Sequence, residues 1–130
     1  MDARTFFRWL LAVFFVAAGA NHFWLTDFYV RMMPSWLPRP TTLVYISGVA
    51  EILGGIGTLV PAARRAAGWG LIALLVAVFP ANVQMALAHL SPPGMNLPIW
   101  LLWARLPFQA VLLAGVYWTA AGQLRVDTLD

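Results

Sequence analysis

Apolar residues dominate four long stretches of the chain, at about residues 6–23, 41–60, 66–88 and 98–121. Each matches the roughly 20 residues that a helix needs to cross about 30 Å of hydrocarbon. The segments between them are polar or rich in proline. Residues 24–40 hold Asp27, Arg31, Pro34, Pro38 and Pro40, residues 61–65 form a tight turn with Arg64 and Arg65, and residues 89–97 include Ser91-Pro92-Pro93-Gly94. A proline pushes the residue before it towards extended geometry, so these positions read as helix ends. Within the first loop Asp27 and Arg31 stand four apart, which predicts one or two turns of helix lying on the membrane surface. The pattern predicts an all-α integral membrane protein: an antiparallel four-helix bundle with short loops, forming a single transmembrane domain over residues 1–130.

Composition agrees with that reading. The chain is 62% hydrophobic, only 10% charged, and free of cysteine. Soluble domains carry roughly 25% charged residues, far more than are available here. The lack of cysteine excludes disulfides, thiolate metal ligation and any dithiol step carried by the protein itself. The net charge of +3 comes from arginines scattered singly, apart from Arg64-Arg65, so no basic block suited to nucleic acid is present. Arg4, Arg8, Arg64, Arg65 and Arg125 collect on one side of the predicted topology, against Arg31 and Arg39 on the other. That bias places both termini and the middle turn in the cytoplasm, with residues 24–40 outside. Tryptophans 9, 24, 36, 69, 100 and 118 fall near the predicted interfaces. The first twenty residues resemble a signal peptide ending at Ala18-Gly19-Ala20, but three further spans follow, and the segment reads as an uncleaved first helix.

Two charges lie where hydrocarbon should be. Glu51 is at the middle of the second span, and Arg105, seven residues beyond Pro98, is roughly 10 Å deep in the fourth. An unpaired charge at such a depth costs about 2.5–3.5 kcal/mol on insertion scales. Similar depth predicts a Glu51–Arg105 ion pair. Asn21 and His22 end the first span, Asn82 lies near the outer end of the third, and Gln109 is one turn from Arg105. Helical spacing puts Ala12, Phe15, Gly19 and His22 on one stripe, and Ser47, Glu51, Gly54 and Thr58 on another, where small residues allow close helix approach. Pro80 and Pro107 remove the hydrogen bonds to the Val76 and Trp103 carbonyls, which is tolerated at depth where they face protein or a wet cavity.

These positions predict a polar pocket in the outer half of the membrane, lined by His22, Glu51, Asn82, Arg105 and Gln109. Structural glue is the competing role for the charges and amides, and a plain helix end for His22. Gln84 points away from Asn82, and His89 reads as a loop residue. His22, Glu51 and His89 include no pair at metal-ligand spacing on a helix, so no metal site is assigned. Gly54-Gly55-Ile56-Gly57 lacks the setting of a phosphate loop and reads as helix packing.

Several motifs together resemble the DoxX-like family of small four-helix bacterial membrane proteins. They are Ala18-Gly19-Ala20-Asn21-His22-Phe23, Met33-Pro34-Ser35-Trp36-Leu37-Pro38, Tyr45 to Gly55 with Glu51 before paired glycines, Phe79-Pro80-Ala81-Asn82, and Arg105-Leu106-Pro107-Phe108-Gln109. The resemblance spans about residues 6–118. It implies an inner-membrane bundle and an accessory link to quinone-dependent redox or oxidative-stress complexes, and by motif it carries over His22, Glu51, Asn82, Arg105 and Gln109. The missing cysteines depart from any thiol-redox role.

The sequence therefore leads to three expectations. The first is a binding or accessory protein whose pocket takes a quinone- or lipid-like amphiphile. The second is a membrane enzyme using Glu51 as general acid or base, with His22 relaying protons. The third is a structural subunit that docks a membrane redox partner or a second copy of itself.

Overall fold

The computed structural model describes residues 2–91 and 94–122. Its helices are α1 (Ala3–Trp24), α2 (Thr26–Met32), α3 (Pro40–Leu59), α4 (Arg64–Leu87) and α5 (Ile99–Val116), the last continued by a π-helical turn, Tyr117–Ala121. Four of them, counting α5 with its π-helical turn, are long and apolar enough to cross a membrane. They coincide with the four predicted spans to within a few residues. Arg125 lies outside the described residues.

Local chemistry explains several of the boundaries. The Asp2 carboxylate accepts from the Thr5 amide at 2.8 Å and caps α1. Pro40 opens α3, where its missing N–H costs nothing, after Arg39 turns the chain in the left-handed region at φ 49°. Pro80 and Pro107 lie inside α4 and α5, which continue through them.

The short helix of the first loop is present as α2, but it does not simply rest on a surface. It buries Phe28 and Met32 against Met85, Ala86 and Leu102, so one end of the molecule is sealed by apolar side chains. A second cluster, Phe15, Leu71, Leu75 and Val116, lies deeper between the long helices. At the other end, the Arg8 Nε donates to the Thr119 carbonyl at 2.7 Å and the Arg64 Nε to the Thr58 carbonyl at 2.8 Å. The start of α1 thus meets the π-helical turn, beside the α3–α4 connection.

Helix α1 packs along α3, α3 against α4, and α4 against α5, while α1 meets α5 along a thin seam. The α1–α3 contact is the closest. A Cβ at Gly19 would lie 2.6 Å from the Gly48 carbonyl oxygen, and one at Gly48 would lie 2.9 Å from that of Gly19. Gly55 adds to it, with a Cβ there 3.0 Å from the Ala12 carbonyl. The buried stripe of α3 is Val44, Gly48, Glu51, Gly55 and Thr58. This corrects the expected stripe at Gly54, which faces Leu71 on α4 instead: α3 has helices on two sides and divides its glycines between them.

Because backbone atoms block both sites, Gly19→Ala and Gly48→Ala should each destabilise the detergent-solubilised protein by about 1–3 kcal/mol, the usual range for overpacking. Gly70→Ala, where an added Cβ meets nothing within 4 Å, should melt with the parent. Equal melting temperatures for all three would refute the packing assignment.

Candidate functional site

The long helices and α2 line a partly open cavity of about 350 Å³. All five residues expected to form a site, His22, Glu51, Asn82, Arg105 and Gln109, line it. Phe14, Phe15, Val78 and Leu112 supply apolar wall. The volume lies at the lower end of the range for small-molecule pockets, which typically combine apolar walls with a few convergent polar groups.

The polar groups form two sets. On the α1–α3 side, the His22 Nδ1 lies 3.4 Å from a Glu51 carboxylate oxygen and 2.8 Å from the Ala18 carbonyl. A carbonyl only accepts, so Nδ1 carries the hydrogen. The same carboxylate oxygen, Oε2, is buried and makes no hydrogen bond. Tyr29 of α2 stacks on the His22 ring at 4.1 Å, with 14° between planes, and its hydroxyl accepts from Asn21 at 2.9 Å. Burial raises the Tyr29 pKa, so the phenol stays protonated at neutral pH.

On the α4–α5 side, the Asn82 Nδ2 donates to the Gln109 Oε1 at 2.6 Å. The Gln109 Nε2 donates to the Leu75 carbonyl, beside the Val76 carbonyl that Pro80 deprives of its partner. The Gln109 amide is thereby committed on both ends and holds Asn82 in place. Arg105 donates through Nη1 to the Met85 sulfur, a weak acceptor.

The expected Glu51–Arg105 ion pair is not formed among the described residues, whose one acid–base contact of this kind joins His22 and Glu51. The reason is the order of helices. Helix α3 packs on α1 and α4, and α5 lies across the cavity from it. The carboxylate reaches its neighbour on α1, and the guanidinium reaches its neighbour on α4. Equal depth brought both groups to one cavity without making them partners.

Two contributors were missed. Tyr29 sits on the helix expected at the membrane surface, and Met85 carried no expectation beyond its place in the third apolar span. Helical spacing offered one signal for Met85, since it falls three residues after Asn82, on the same face. Nothing in the sequence of α2 marks which of its faces docks.

Comparison with known proteins adds family membership. A family described as a domain of unknown function, DUF8561, matches residues 11–120, which hold all five predicted site residues. No curated protein and no solved structure matches the chain. With about five-sixths of its length covered by that match, the chain belongs to the DUF8561 family.

Proposed function

We propose that the protein is a membrane-embedded binding protein, an antiparallel four-helix bundle of the bacterial inner membrane with both termini in the cytoplasm. Its cavity takes a small amphipathic ligand, quinone- or lipid-like, in the outer half of the bilayer. The observation that carries this reading is one cavity into which four apolar helices direct five polar side chains, while Phe14, Phe15, Val78 and Leu112 form apolar wall. Charged groups inside a membrane-spanning protein are expensive and are retained mainly where they face a pathway or a bound molecule. The donor set suits a quinone: Arg105 and the Asn82 amide offer hydrogens to a carbonyl oxygen, and the aromatic walls suit a ring. Kinship with DoxX-like proteins, and an accessory role beside a membrane redox complex, belong to the same proposal.

A second reading has one observation in its favour. The Glu51 carboxylate lies against His22 rather than Arg105, so no guanidinium holds it ionised, and the pair offers an acid–base couple for a membrane enzyme.

Binding is testable by thermal shift in detergent. A benzoquinone with a decyl chain at about 100 times its Kd should stabilise the protein by about 2.7 kcal/mol. Arg105→Gln and Asn82→Leu should each remove most of the shift while leaving the unliganded melting temperature within a few degrees. No shift with this quinone or with a single-chain lipid, together with no amphiphile in solvent extracts of the purified protein, would refute the reading. For topology, alkaline phosphatase fused after residue 36 should be active, and fused after residue 64 silent. The reverse pattern would invert the proposed orientation.

A further inference from the structure

Of the residues lining the cavity, Phe14 and Phe108 are the two that are also exposed on the outer surface, at 41% and 51%. Phe14 is on α1 and Phe108 on α5, and their rings meet edge to face with centroids 6.4 Å apart. They stand at the thin α1–α5 seam, whereas the other adjacent long helices are closely packed. The end of the cavity nearest α2 is covered by that helix and its apolar cluster around Phe28 and Met32. The least obstructed way between the cavity and the outside therefore runs sideways, between two aromatic rings, at a level where the surface of both helices is apolar. Val13 and Val111, one and three residues from these rings, are more than 60% exposed on the same outer surface.

We infer that the ligand is a single-chain lipid whose polar head occupies the cavity and whose hydrocarbon chain leaves between Phe14 and Phe108 into the bilayer. The inference rests on the binding reading above and narrows it. A compact water-soluble molecule gains nothing from an opening onto hydrocarbon, while a chain threaded there stays in apolar surroundings along its length. The cavity, at about 350 Å³, has room for a head group and not for a long chain as well. Edge-to-face rings part by rotating about their side-chain bonds, with no loss of a hydrogen bond in either helix.

The absence of native cysteine makes the seam addressable. In the full-length double variant Phe14→Cys, Phe108→Cys, a short bis-maleimide applied after purification would tie α1 to α5 across the opening. The probes are the decyl-chain benzoquinone and the same ring without its chain. Measured against the same double variant before cross-linking, affinity for the chained probe should fall at least tenfold, while affinity for the chainless ring does not change on cross-linking. Treatment with a monofunctional maleimide of similar bulk should reduce chained-probe binding by a smaller factor. Unchanged binding of the chained probe to the cross-linked protein would overturn the inference. So would loss of both probes together, since the seam would then hold the cavity in shape rather than pass a chain. A parent protein that binds the chainless ring but not the chained probe would also overturn it. Failure of the parent to bind either probe would instead count against the binding reading itself.

Discussion

An acid on an apolar helix has to find polar company, and the approach of α1 to α3 decides what company Glu51 finds. At Gly19 and Gly48 each helix backbone occupies the volume that a Cβ would need on the other. The next inward-facing residue of α1 beyond Gly19 is His22, and of α3 beyond Gly48 is Glu51. The glycine contact thereby sets the distance between imidazole and carboxylate. Larger residues there would widen the gap and leave Glu51 with no basic neighbour.

The cavity is the counterpart of that close contact. Where α1 and α3 touch, no space remains; where α3 faces α5 across the molecule, neither is close enough to fill it. Phe15 and Leu75, members of the deeper apolar cluster, both line the cavity, and so does Met32 of the cluster under α2. The polar groups are thus held between two apolar plugs. The arrangement is electrically uneven, with carboxylate and imidazole on one wall and guanidinium and amides on the other. A molecule bound between them would feel donors from Arg105 and Asn82 at one side and an acceptor from Glu51 at the other.

Much of this was legible in the sequence, for a physical reason. Helix length and apolar content fix the four spans, and depth along each span follows from residue counting, so Glu51, Arg105 and Asn82 could be brought to one level. What counting does not contain is the order of helices around the cavity. Two charges at one depth look like partners whether their helices are adjacent or opposite, and the expected Glu51–Arg105 pair failed on that distinction. The same gap explains Gly54, whose spacing fits the Glu51 stripe although Leu71 of α4 occupies its side. Pro80 and Pro107 were legible as prolines that free carbonyls inside continuing helices, and Gln109 binds at Leu75 next to one such carbonyl. Tyr29 was out of reach because docking of α2 depends on Phe28 and Met32 meeting Met85, Ala86 and Leu102, a tertiary event with no local signature.

The geometry of His22 bears on whether the cavity binds or catalyses. A histidine that relays protons passes them between its two ring nitrogens and is helped by freedom to turn. Here the Nδ1 hydrogen is directed at the Ala18 carbonyl, and Tyr29 covers one face of the ring at 4.1 Å. The Tyr29 hydroxyl is itself tied to Asn21. The imidazole is clamped from below by its own helix and from the side by α2. Such a ring serves well as a fixed wall that orients Glu51 and a bound head group, and poorly as a swinging carrier. With Gln109 similarly committed at both ends of its amide, the site is built from side chains already held in position, which favours a binding pocket over a proton path.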